Sequence, residues 1–287
     1  MDAALVVARF AHFVSLMSLF GAFAYACALS PPGLAPELDP YLRKAAPPLA
    51  ALALASALVW VALVARAMLE GALDLDGFVS VVAETSFGHV WLARLPVLAA
   101  LLGLALFARG RRRTLAVVAA AALASLALVG HAVMQTGAIG VLHRANHGVH
   151  LLLTGGWLGS LPPFLLSLAA FGRSSHRAEA LAAMMRFSRV GHYAVAGIFL
   201  SGALDVALTT GAWPWPPVTP YRLGLDSKIL VVAAMTALAL ANRYVLAPRI
   251  GRSSRARAAL AAGAVAEIAL AAVAIALVSA FATFDPA

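Results

Sequence analysis

The sequence predicts an all-α polytopic membrane protein with eight transmembrane helices. Three observations predict it. Hydrophobic residues make up 63% of the 287 residues and charged residues 11%, against roughly 45–50% and about 25% in a soluble domain. The apolar residues fall into stretches close to the ~20 residues that a helix needs to span the hydrocarbon core. The basic residues concentrate in alternate loops. Together these exclude an ordinary water-soluble protein and a disordered chain. The net charge of +9 does not point to nucleic acid, because the cations sit in short clusters between apolar runs. Membrane lipid is the expected surrounding.

The expected spans are 5–29, 46–69, 89–108, 114–135, 145–170, 187–210, 224–246 and 259–283. Charges, or Pro and Gly, separate them. The first is too long for a signal-peptide core and is expected to remain as a span, although Ala24-Tyr25-Ala26-Cys27 faintly resembles a lipoprotein cleavage site. Cys27 is the single cysteine, so neither an intrachain disulfide nor a Cys-rich metal site is available. After the second span, Glu70, Asp74, Asp76 and Glu84 make an acidic segment, read as a solvated outer loop over 70–84. After the sixth, Trp213-Pro214-Trp215-Pro216-Pro217 reads as a rigid outer segment with tryptophans at the membrane interface.

Sidedness follows from the loops. One set carries Arg43, Lys44, Arg109, Arg111, Arg112, Arg113, Arg173, Arg177, Arg186, Arg249, Arg252, Arg255 and Arg257, and the other only Arg144 and Arg222. The first set is therefore expected in the cytoplasm. With eight spans, both termini are expected outside.

A weak internal repeat divides the chain into 1–140 and 141–287. Thr85-Ser86-Phe87 precedes Arg94 as Thr219-Pro220-Tyr221 precedes Lys228, and Arg9-Phe10-Ala11-His12 parallels Arg144-Ala145-Asn146-His147. Each half has four spans, an even number. The halves are thus expected to be parallel repeats, as in some transporters.

Most of the eight histidines fall on the outer side of this topology: His12, His89, His131, His143, His147 and His150. His143, His147 and His150 are spaced four and three apart, which puts them on one helical face. His131 and Met134 end the preceding span. Imidazole suits copper, zinc, iron and nickel, and thioether selects Cu(I), so this set points to copper. Ionisable residues inside spans are costly and are functional candidates. Arg94 and Lys228 need partners, for which Glu84, Asp205 and Asp226 are available. Glu267 lies near the middle of the last span, with Asn242 and Arg243 near its level. On the cytoplasmic side, Met184, Met185 and His192 could form an exit site.

Several short motifs then resemble the CopD/PcoD family of bacterial copper-resistance inner-membrane proteins. They are Thr85-Ser86-Phe87-Gly88 with Trp91-Leu92-Ala93-Arg94, Gly130-His131, Trp157-Leu158-Gly159-Ser160-Leu161-Pro162, and Phe187-Ser188 with Ser201-Gly202. Thr219-Pro220-Tyr221 with Lys228, Asn242-Arg243 and Glu267 complete them. The resemblance covers nearly the whole chain. It implies a polytopic copper-handling protein, associated with copper passage into the cytoplasm and with a separate periplasmic CopC-like carrier. One departure is Arg222 after Tyr221, where the family usually has Gly; Asp226 also lies just before Lys228.

The expected function is copper transport, most naturally import. Copper would be captured by His131, His147 and His150, with His12, His89, His143 and Met134 assisting. No G-x-x-x-x-G-K-[ST] loop is present, so ATP is not expected to drive it within this chain. The alternatives are a haem-binding electron-transfer protein, with His131 and His150 as axial ligands, and a copper-delivery factor that does not transport. No nucleophile–base constellation suggests an enzyme.

Overall fold

The computed structural model describes residues 2–71, 74–107, 110–211 and 219–286. The described residues are helical and form no strand. Arg109 and the Trp213–Pro217 segment lie outside the described residues. The helices are α1 (Ala3–Ala24), α2 (Ala35–Met68), α3 (Leu75–Glu84), α4 (Ser86–Phe107), α5 (Arg112–Ala124), α6 (Gly137–Leu158), α7 (Leu161–Phe171), α8 (Arg177–Thr210), α9 (Pro220–Ala241) and α10 (Ser254–Phe281). Seven described segments are long and apolar enough to cross a membrane: Ala3–Leu29, Pro32–Met68, Ser86–Phe107, Gly137–Phe171, Arg177–Thr210, Pro220–Arg249 and Ser254–Phe281. Large apolar side chains such as Leu58, Val117, Leu200 and Leu230 point outward, as lipid-facing residues must when the solvent is hydrocarbon.

Four expectations are corrected. The stretch expected as a span over 114–135 is not one helix. After α5 the chain makes two short 3₁₀ turns, Ser125–Leu128 and Gly130–Val133, on either side of extended Val129. Gly130 takes φ +77°, a left-handed conformation that a residue without Cβ adopts freely. The stretch 145–170 starts earlier, at Gly137, and divides into α6 and α7 at Gly159–Ser160. Pro162 and Pro163 sit in the first turn of α7, where their missing N–H groups are tolerated but could not have continued α6. The second helix begins at Ala35 rather than near 46. The segment 70–84 is largely helical: Asp74 caps α3 by accepting the Gly77 N–H at 2.7 Å, and Val81 is buried.

The repeated threonines have a local physical reason. Thr85 Oγ1 accepts the Gly88 N–H at 2.9 Å, and Thr219 Oγ1 accepts the Arg222 N–H at 3.2 Å. Each caps the helix that carries the cation, buried Arg94 or half-buried Lys228, and so satisfies a helix-end donor. The Thr-to-cation spacing therefore fixes how deep each cation sits.

α1 and α6 cross at a small-residue contact. A Cβ on Gly21 would stand 2.4 Å from the Gly155 carbonyl oxygen, and one on Gly159 would stand 2.0 Å from that of Met17. Ser160 Oγ donates to the Gly21 carbonyl at 3.0 Å. This close approach, with the α1–α10 packing, joins residues before and after the midpoint of the chain.

Candidate functional site

A cavity of about 300 Å³ opens among α1, the two 3₁₀ turns, α6, α8, α9 and α10. His131, His143, His147, His150, Asp205 and Lys228 line one part of it, and Met17, Trp157, Leu158 and Met235 another.

The hydrogen bonds decide which imidazole nitrogens are free. His150 Nδ1 lies 2.9 Å from Ser201 Oγ, whose only proton goes to the Gly197 carbonyl at 2.6 Å. Ser201 therefore accepts, His150 Nδ1 donates, and Nε2 keeps its lone pair. His143 Nδ1 lies 2.6 Å from Gln135 Oε1, an acceptor, so the same tautomer follows. His147 Nδ1 lies 2.8 Å from Asp205 Oδ2, the carboxylate–histidine arrangement that fixes the tautomer and raises the basicity of a ligating imidazole. Asn146 Nδ2 donates to the other Asp205 oxygen at 2.6 Å and holds that carboxylate in place. Three imidazoles on one face of α6 thus have Nδ1 engaged; among the described residues Nε2 of His147 and of His150 has no hydrogen-bond partner, and that of His143 stands 3.9 Å from Asp205 Oδ1. His147 and His150 stack with ring centroids 6.3 Å apart and planes 13° from parallel. Across the cavity, His131 packs edge-on against Tyr221, at 5.4 Å between centroids, and its buried Nε2 has no partner. Among the described residues, no three His, Cys, Asp or Glu side chains already converge as a metal cage.

His12 has a different environment. It is fully buried, with Nδ1 at 2.9 Å from the Ala53 carbonyl and 3.2 Å from Ser56 Oγ. An Arg94 Nη donates to its Nε2 at 3.0 Å. Arginine has no acceptor, so the Nε2 lone pair of His12 is consumed. Trp60 and Trp91 close over the ring, each at 5.8 Å. His12 is therefore not brought to the cavity, although Arg9, Phe13 and Met17 on the same helix are.

The remaining candidates divide plainly. His89 is exposed at the start of α4, with Nε2 at 2.7 Å from the Ala83 carbonyl, and Met134 is 52% exposed and does not line the cavity. Arg94 meets none of the carboxylates expected for it; it donates to the Ala122 carbonyl at 3.1 Å and to Ser125, and stacks on Trp91. Lys228 feels Asp205, whereas Asp226 keeps one buried oxygen without a partner. Met184 is core, Met185 points outward, and exposed His192 binds the Ser188 carbonyl and the Tyr244 hydroxyl, so these three do not meet. Glu267 is buried and accepts from Asn242 Nδ2 at 2.7 Å.

The sequence reading missed Met17 and Met235. Met235 stands seven residues, two turns, beyond Lys228, and Met17 stands eight beyond Arg9 on a face shared with Phe13. That i, i+4, i+7 and i+8 spacing was the available signal.

The chain is 36% identical over 269 residues to the inner membrane protein YebZ of Escherichia coli (strain K12), with 88% of each chain covered. Family models described as "Copper resistance protein D-like, N-terminal domain" and "Copper resistance protein D" match residues 1–141 and 181–281. The chain belongs to the copper resistance protein D family. It is also 29% identical over 268 residues to copper resistance protein D of Pseudomonas syringae pv. tomato, covering 86% of this chain and 84% of that one. No solved structure matches. With seven segments among the described residues long and apolar enough to cross a membrane, this member of the family is a multi-pass inner-membrane protein.

Proposed function

We propose that this protein handles copper in the inner membrane and carries it inward, receiving the ion at the outer part of the cavity. The observation that carries this reading is the common tautomer of His143, His147 and His150. Each is tied at Nδ1, Nε2 of His147 and His150 is without a hydrogen-bond partner among the described residues, and Asp205 stands behind His147 and 3.9 Å from His143 Nε2. Imidazole suits copper, and the two thioethers deeper in the cavity suit Cu(I). The capture set is His147 and His150, with His143 and His131 closing on the ion as side chains rotate. Copper is the cargo here, and Met17 with Met235 makes the next contact inward. Membership in a family named for copper resistance supports the same cargo.

The topology we propose has eight crossings, basic loops in the cytoplasm and both termini in the periplasm. Its support is that the broken segment after α4 runs the length of the bundle. Arg112 at its start pairs with Asp39, and His131 near its end packs on Tyr221. Two four-helix repeats fit this count. A separate periplasmic CopC-like carrier would deliver copper to the outer mouth.

The test is copper uptake into proteoliposomes of the purified chain. Wild-type protein should accumulate copper and the His147→Ala/His150→Ala variant should not. Equal uptake by both would sink the capture site. Stoichiometric binding without uptake would leave delivery, not transport, as the function.

A further inference from the structure

Below the cavity the polar path resumes at one point. Glu267 is the fourteenth residue of the 28-residue α10, so at 1.5 Å per residue it lies about 20 Å from either end. Ala274, seven residues on, lines the cavity, placing Glu267 about 10 Å further along the helix. Lys228, Met235 and Asn242 recur every seven residues along α9 and into the π-helical turn Asn242–Leu246. They form a stripe on one face that leads from the histidine side of the cavity, past Met235, to the Glu267 partner. Such π turns often mark functional sites.

The pair is built and left incomplete. Glu267 is 4% exposed and Asn242 6%. Asn242 Nδ2 donates to Glu267 Oε1 at 2.7 Å, while the buried Asn242 Oδ1 has no donor. A Cβ on Gly263 would stand 2.3 Å from that Oδ1, so glycine is what admits the amide. Among the described residues Glu267 makes no ion pair. Charged groups on the elements around it are turned elsewhere. Arg243 donates to Ser188 and stacks on Tyr244, and Arg249, on the short turn packed against α10, donates to the Val245 carbonyl. Lys228 is fourteen residues from Asn242, and α7 has no ionisable residue. Arg9 and His12 of α1 are engaged by Ala282 and Arg94. An unpaired carboxylate here would bear the full cost of a buried charge; a carboxyl would not, and its O–H would supply a donor beside the orphaned amide oxygen.

We propose that Glu267 with Asn242 is a proton site in the transport path, and that its proton is given up when copper occupies the path. This rests on the capture reading above. The O–H bond breaks, its electron pair stays on the Glu267 oxygen, and the proton leaves to water. The carboxylate left behind offsets the positive charge of the ion in a low-dielectric interior. Oxygen ligands do not suit Cu(I), so Glu267 compensates charge and does not hold the metal.

Infrared difference spectroscopy on the full chain in lipid tests this, with bound copper measured on the same samples. The carbonyl band of a protonated carboxyl should be present in copper-free wild type at neutral pH, vanish in Glu267→Gln and fall when copper binds. Glu267→Asp, which keeps the acid but withdraws it from Asn242, should shift the band. It stands in if Glu267→Gln does not fold. No such band, or one that stoichiometric copper leaves unchanged, overturns the proposal. Should wild type bind no copper, the capture reading falls; the proton site then stands if alkali removes the band, and falls if the band is absent.

Discussion

Two polar nodes of nearly the same composition meet opposite fates in this bundle. In the first, His12 on α1 donates through Nδ1 to the Ala53 carbonyl of α2 at 2.9 Å, with Ser56 Oγ at 3.2 Å, and the Ser56 hydroxyl donates to the same carbonyl. In the second, His150 on α6 donates to Ser201 on α8, whose hydroxyl donates to the Gly197 carbonyl. The third member decides the difference. Arg94 reaches His12 Nε2 and takes its lone pair, and two tryptophans seal the ring. Among the described residues Lys228 makes no hydrogen bond to His150, and both line the cavity. An imidazole nitrogen is thus consumed or left open according to what the cation beside it can reach.

The largest effect that sharpens the contrast is expected from His147→Ala/His150→Ala. Copper affinity should fall by more than the ~10–100-fold typical of losing an outer-shell partner, with unfolding temperature nearly unchanged. Arg94→Met should do the reverse. It leaves Ser125 Oγ and His12 Nε2 without their Arg94 donor, while the Ala122 carbonyl keeps the Ser125 hydroxyl, and should destabilise the fold by about 2 kcal/mol or more, read as a lower melting temperature, while copper stoichiometry holds. A copper loss there matching the double variant would erase the distinction between the nodes.

Asp205→Asn comes next. It keeps the volume but removes the charge behind His147, and copper affinity should drop by about 10–100-fold in a competition titration. The smallest pair is Ser56→Ala and Ser201→Ala. The first should cost about 1 kcal/mol of stability without touching copper. The second should weaken copper binding a few-fold by freeing the His150 tautomer.

The local parts of this arrangement were legible in the sequence. The spacing of His143, His147 and His150 on one helix follows from helical geometry alone, and the all-helical membrane fold follows from composition. Non-local partners were not legible. The Arg94 bond to His12 spans 82 positions, and nothing in either local sequence reports it. Hydropathy reads Leu126 to Met134 as continuous, although Gly130 is left-handed there. It also hides α3, whose acidic residues mask the inward Val81. Met134 drew attention by lying next to His131. Met17 and Met235 reach the cavity instead, because helix packing rather than sequence proximity selects the lining.

The most direct measurement is the metal content of the purified protein, with copper, zinc and iron read together for wild type and His147→Ala/His150→Ala. A stoichiometric complement of copper in wild type, lost in the double variant, is the predicted result. Copper retained by the variant, or iron in place of copper in wild type, would contradict the account; iron would make these histidines haem ligands.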